Sequence, residues 1–180
     1  MALSPEERSA LIHLARSAVE AQVRGLPEPS VGSPTGVAAQ LRGCFVTLTN
    51  HERLRGCVGI FTPTEPLART IVEMGQAAAR DSRFVMNPIT ADELDQLTVE
   101  VSVLSELVET SEPRKLKIGT DGIYVIRGPH RGCFLPEVAV DQGWDAPEFL
   151  SRCCRGKAGL APNAWEDPET KVYLFTSESL

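Results

Sequence analysis

Residues 41–61, LRGCFVTLTNHERLRGCVGIF, decide the fold. Two runs rich in Val, Thr, Leu and Phe, 41–49 and 54–61, flank the polar NHER, which reads as an antiparallel hairpin turning at His51 and Glu52. Setting Thr49 opposite Leu54 pairs Val46 with Cys57 and Cys44 with Gly59. Alternation along the second strand then sends Leu54 and Val58 to the core, and Arg55 and Cys57 to the other face. Leu-Arg-Gly-Cys occurs twice here, at 41–44 and 54–57, and Arg-Gly-Cys returns at 131–133. In this register Cys44 and Cys57 are diagonal neighbours, poorly placed for the ~5.5–6 Å Cα spacing a disulfide favours.

Outward from the hairpin, helical and strand signals alternate. Ser4, Pro5 and Glu7 form a capping box with proline at the first helical position, and Leu11, Leu14, Ala15, Ala18 and Val19 continue as one buried stripe to about Gln22. Residues 24–40 carry three prolines and three glycines and read as an irregular connector. Thr64 and Glu65, ahead of Pro66, open a second helix with Leu67, Ile71, Met74 and Ala78 on one face, ending near ARDSRF at 79–84. Thr90 and Glu93 suggest a capping box over a short helix, and TVEVSVLSEL at 98–107 alternates as a half-buried strand. GIYVIRGPHRGCFLP at 122–136 reads as a second hairpin turning at Gly128-Pro129-His130. Asp145 and Glu148 start a helix through Cys154 with Phe149 and Leu150 inward, and KVYLFT at 171–176 closes the chain as a strand. Hairpins dominate, so the expected fold is α+β, a mainly antiparallel sheet flanked by helices.

A chain of 180 residues fits a single domain, 1–180, and should bury roughly 70% of its unfolded surface. A net charge of −6 argues against a broad nucleic-acid footprint. No apolar run reaches the ~20 residues that span a bilayer. The opening MALSPEERSALIHLA brings acids early and lacks a basic leader region, and the cysteines number five, an odd count. Reduced thiols in the cytoplasm are therefore expected.

The cysteines and histidines show no metal-ligand spacing, so no metal site is expected, and no cofactor motif is present. Cys153 and Cys154 read as small buried hydrophobes. On the strand LRGCVG, the Arg55 guanidinium beside the Cys57 thiol would favour thiolate, while Gly56 and Gly59 clear space for a ligand or another backbone. Asp81 and Arg83 read either as a helix stop with an internal ion pair or, with Arg83 near Arg55, as an anion clamp.

These motifs, LRGCVGIF at 54–61, AAARDSRF at 77–84, ELDQLTVEVSVLSE at 93–106, DGIYV at 121–125, GCFLPEVAVDQGWDAPEFL at 132–150 and KAGL at 157–160, followed by Trp165, occur in one order. In that order they closely resemble the AMMECR domain family, whose bacterial and archaeal members are called AmmeMemoRadiSam system protein A. The resemblance runs from the first helix to the last strand. The family hallmark, Leu-Arg-Gly-Cys-Ile-Gly, matches Leu54–Gly59 with Val58 in place of isoleucine. The copy at Leu41–Cys44 lies where the family has an ordinary strand, and Cys133 stands where it commonly has an apolar residue. The resemblance implies a larger and a smaller subdomain. It also implies work beside a Memo-type protein and a radical S-adenosylmethionine enzyme, without naming a substrate.

The leading expectation is a protein with a cleft around Arg55, Cys57 and Arg83, taking a small anionic ligand or a partner's tail through Arg55, Gly56, Gly59, Asp81 and Arg83. One rival is a Cys-dependent enzyme in which Cys57 attacks, Arg55 stabilises charge, and Glu52 or Asp81 moves protons. The other is a non-enzymatic adaptor. The residues leave open which of these holds, and they leave oligomeric state open as well.

Overall fold

The N-terminal cap forms as the sequence predicts in the computed structural model, which describes residues 3–180. The Ser4 hydroxyl accepts from the Glu7 amide at 3.2 Å, the Glu7 carboxylate accepts from the Ser4 amide at 2.9 Å, and α1 runs over Pro5–Arg24. Its stripe of Leu11, Ala15, Ala18 and Val19 is buried. Beyond Gly25 the connector stays irregular until a 3-10 turn at Gly36–Ala39, which sinks Val37 into the core.

The chain divides into two compact units, Met1–Leu104 with Glu178–Leu180, and Ser105–Ser177. In the first, β1 (Cys44–Asn50) pairs antiparallel with β2 (Arg53–Ile60) on one side and β3 (Leu97–Leu104) on the other. The last strand, β8 (Ser177–Ser179), completes the order β2-β1-β3-β8, so β2 is an edge. Helix α2 (Leu67–Ala79) joins α1 in covering one face of this sheet. Leu11, Val19, Cys44, Val46, Leu48, Leu67, Ile71 and Val101 share the resulting core. In the second unit the order is β4-β7-β5-β6, built from β4 (Val108–Thr110), β5 (Gly122–Arg127), β6 (His130–Phe134) and β7 (Lys171–Phe175). Helices α3 (Pro136–Gln142) and α4 (Ala146–Cys153) belong to this unit, and its separate core gathers Ile123, Val125, Phe149, Leu150, Cys153, Cys154 and Trp165. The fold is α+β with two antiparallel sheets. No described helix is long and apolar enough to cross a membrane.

Several local expectations need correction. KVYLFT is not the final strand, because the chain returns as β8 to the first sheet. Helix α4 passes into a π-helical turn at Cys154–Ala158 instead of continuing regularly. The box at Thr90 and Glu93 forms only in part: Ala91–Gln96 is a 3-10 helix with no cap from the Thr90 side chain, while the Glu93 carboxylate meets the Thr90 backbone and is also gripped by Arg55.

The most consequential correction lies in the first hairpin. Thr49 does oppose Leu54, but the register then slips, with Leu48 opposite Gly56, Thr47 opposite Cys57 and Val46 opposite Val58. Arg55 is the extra residue of a β-bulge, which bends a strand and re-aims its side chains. Leu54, expected in the core, is 39% exposed, while Arg55 is only 5% exposed. Cys44 pairs with Ile60 inside the core and Cys57 pairs with Thr47 on the other face, so the two thiols are not diagonal neighbours. Both are free.

Candidate functional site

Arg55 sits between the hairpin and the Ala91–Gln96 turn. Its guanidinium grips Glu93 through two nitrogens, Nε to Oε1 at 2.6 Å and Nη2 to Oε2 at 3.0 Å, and Nη2 also donates to the Asn87 carbonyl at 3.0 Å. Asn50 donates to the same Glu93 carboxylate at 3.1 Å. This paired geometry is the strongest form of guanidinium–carboxylate contact. The hydrogen bond from Arg55 draws the Glu93 carboxyl below its ordinary value. Glu93 is thus the half-buried counter-ion of Arg55, a role that a capping-box reading alone does not show.

Asp81 and Arg83 hold the other side of the motif. As an edge strand, β2 leaves the Cys57 amide and carbonyl without a neighbouring strand. The Cys57 N–H donates to Asp81 Oδ2 at 3.0 Å, and its carbonyl accepts from Arg83 Nη2 at 3.1 Å. Asp81 also accepts from the Arg83 backbone at 3.0 Å and pairs with the Arg83 guanidinium at 2.6 Å. The hydrogen bonds from Arg83 hold the Asp81 carboxyl well below the usual carboxylate range. The ion-pair reading of ARDSRF is therefore present, with a purpose the sequence did not reveal: the pair stands in for a missing strand. Arg55 and Arg83 approach opposite ends of one network, their guanidinium carbons 5.9 and 5.7 Å from the centre of the Phe84 ring. Each guanidinium has its own carboxylate.

The space cleared by the two glycines is filled by the protein itself. A side chain at Gly56 would collide with the carbonyl of Ala78 at the end of α2, and one at Gly59 would strike the Phe45 ring and lie 2.6 Å from the Cys44 carbonyl oxygen. Cys57 is half-buried, its sulfur 3.4 Å from the Thr47 hydroxyl. Asp81 is the carboxylate nearest to it in the bonding network, yet its lowered proton affinity makes it a poor base. Burial pushes the Cys44 thiol up to about 12 and raises Cys153 and Cys154 as well. Among the described residues, no three His, Cys, Asp or Glu side chains gather as a metal site would need.

Two clefts meet at Arg55. The first, about 360 Å³, is lined by Asn50, His51, Arg53, Arg55, Asn87 and Glu93. His51 is the turn residue of the hairpin and carries φ 51°, a left-handed conformation unusual for a side chain other than glycine. Arg53 is exposed and, among the described residues, its side chain pairs with no carboxylate. The second cleft, about 250 Å³, is lined by Val23, Arg80, Asp81, Phe84, Pro88 and Ile89 among others. Neither the backbone strain at His51 nor the cleft beneath His51 and Arg53 leaves a mark in the sequence.

An α+β protein with two antiparallel sheets, a bulged Arg-Gly-Cys edge strand and an acid–base pair latched to that edge is the class these features define. The chain belongs to the AMMECR1 family, whose model matches residues 12–180. It is 45% identical to protein TK0174 of Thermococcus kodakarensis, covering 93% of this chain and 86% of that one. A protein of Methanothermobacter thermautotrophicus is 42% identical, with 98% and 94% covered. The solved structure of uncharacterized protein PH0010 from Pyrococcus horikoshii superposes with a TM-score of 0.88 at 38% identity, covering 98% of this chain and 92% of that one.

Proposed function

We propose that the first unit is a binding module whose polar cleft beside the LRGCVG strand takes a small anionic ligand, a carboxylate or a phosphate. The observation that carries this reading is the unpaired Arg53 at the mouth of a cleft whose other guanidinium, Arg55, is already neutralised by Glu93. Arg55 and Glu93 then form a rigid floor, and Arg53 with His51 supplies donors to the ligand. Gly56, Gly59, Asp81 and Arg83 act one step back: they fix the strand that carries Arg55. Titrating the isotope-labelled chain with inorganic phosphate, acetate and succinate tests the reading. Saturable amide shifts at Asn50–Arg53 are expected, weakened at least tenfold by Arg53→Ala, which corresponds to about 1.4 kcal/mol. Absence of saturation with all three probes at tens of millimolar would sink it.

The family resemblance extends the proposal to work beside a Memo-type protein and a radical S-adenosylmethionine enzyme. Co-expression of the three chains and co-purification through a tag on this one examines that part separately. A chain that emerges alone under low salt speaks against it.

A further inference from the structure

The second cleft differs in character from the first. Val23, Ala79, Phe84, Val85, Pro88 and Ile89 give it apolar walls, and two large apolar side chains stand open beside it, Val85 at 71% and Met86 at 93% exposure. Met86 has no packing role at that exposure, and it stands next to exposed Val85 in a segment that continues with Asn87 and Pro88. Contiguous apolar exposure of this kind marks contact surfaces more often than it occurs by chance. The charges around it have one sign left over. Asp81 lines the cleft but is committed to Arg83 and the Cys57 amide, and Arg55 is committed to Glu93. Arg80 lines the same cleft, is exposed, and its side chain has no partner among the described residues. Arg24, next to the lining residue Val23, is exposed and likewise unpaired. On a chain of net charge −6, an apolar cleft rimmed by unpaired guanidiniums selects for acidic company.

We propose that the face formed by Ala79–Ile89 with Val23 is a docking surface for a protein segment carrying a short apolar anchor, such as a Leu-Phe pair, flanked by carboxylates. The apolar anchor fills the cleft over Phe84, Met86 and Val85 close over it, and the carboxylates meet Arg80 and Arg24. This is the usual anatomy of a small interface, an apolar anchor in a pocket with a polar rim. The inference goes beyond the anion-cleft reading and stands without it, since the two clefts share only Arg55 among their lining residues and, Asn87 apart, report through different amides.

The test titrates the isotope-labelled full chain with three blocked hexapeptides: Asp-Glu-Leu-Phe-Glu-Asp, its all-lysine counterpart at the acidic positions, and its double-alanine counterpart at Leu-Phe. The acidic apolar peptide should give saturable shifts confined to Arg80–Ile89 and the end of α1, and the other two should bind at least tenfold more weakly. Met86→Ser, a change at an exposed position, should weaken the first peptide about tenfold, and Arg80→Glu should reverse the order of the acidic and lysine peptides. The proposal is overturned by any of four results. These are no saturation, equal binding of the lysine peptide, shifts lying at Asn50–Arg53 instead, or a concentration-dependent dimer in sedimentation that Met86→Ser abolishes. The last would show that a second copy covers the patch.

Discussion

Arg55 is a charge taken almost wholly out of water, and its cost is offset only while Glu93 and the Asn87 carbonyl accept from it. Arg55→Ala should therefore cost about 3 kcal/mol, the low end for breaking a buried pair, since the Glu93 carboxylate it strands is half-buried and keeps the Asn50 donor. Arg55→Lys should cost less but still measurably because the two-nitrogen grip is lost. Urea unfolding followed by circular dichroism reads both. The acid side of these pairs fixes a pH dependence. Hydrogen bonds from Arg55 and Arg83 lower the Glu93 and Asp81 carboxyls in the folded chain, so the unfolded chain binds those protons more readily. Their contribution is complete above about pH 5, where the unfolded carboxyls are ionised, and is lost as pH falls toward the lower folded values. The urea midpoint of the parent chain should fall steeply between about pH 5 and pH 2, and Asp81→Asn with Glu93→Gln should flatten that slope while lowering the plateau. The thiols sort by burial in the same way. Cys57 and Cys133 are half-buried, whereas Cys44, Cys153 and Cys154 are closed off, so a chromogenic disulfide reagent should titrate two thiols in the native chain and the remaining three only in denaturant. Prompt reaction at Cys44 would contradict the β1–β2 register.

At the scale of the element, strand β2 is defined by what replaces regular pairing. The bulge at Arg55 places Arg55 and Gly56 both inward, Gly56 lets the end of α2 lie against the strand, and Asp81 with Arg83 occupies the edge. Gly56→Ala must push the Ala78 carbonyl away, a backbone displacement that overpacking data put at about 1–3 kcal/mol or more. Gly156→Ala meets open space on the π-helical turn and should stay within about 0.5 kcal/mol of the parent. Thermal unfolding of the two variants side by side separates a packing requirement from a general dislike of larger residues. The same elements show how far the sequence could be read. The α1 cap, the helix opening at Pro66, the Asp145 cap and the first hairpin turn rest on local chemistry within four residues and appear where expected, and the second hairpin turn tightens to Gly128-Pro129, with His130 already paired to Arg127. The register beyond Thr49 did not, because a bulge leaves the alternation of Leu54, Arg55 and Val58 looking regular. Glu93 shows a related limit: a carboxylate three residues after Thr90 looks like a cap and nothing more, while Arg55, which grips it, is 38 residues away in the chain. Strand β4, with three residues, and β8, whose sequence Ser-Glu-Ser is wholly polar, carry too little pattern to be seen.

For the whole molecule, the path of the chain matters more than any single contact. The first unit is interrupted after β3 at Leu104 and resumes at Glu178, and each unit owns a separate apolar core. Departure and return meet at one point. The Ser105 amide donates to the Thr176 carbonyl at 2.9 Å, and the Thr176 amide donates to the Ser105 hydroxyl at 2.9 Å. The returning segment then lays β8 beside β3, with the Leu180 amide donating to the Val101 carbonyl at 2.8 Å. An insertion whose ends already touch imposes little loop-closure cost on its host, because that cost grows only with the logarithm of loop length. Replacing residues 106–175 by a short Gly-Ser turn should accordingly leave the first unit folded, with dispersed amide resonances and the shifts of Asn50, Arg55 and Cys57 retained. Its urea m-value should drop in proportion to the surface no longer buried. A collapsed spectrum from the shortened chain would mean that the first core, although separate in composition, is not sufficient by itself. The binding proposals for both clefts would then have to be tested only in the full chain. A folded product would make the converse test possible, because every residue lining the two clefts would be present in a protein lacking the second unit.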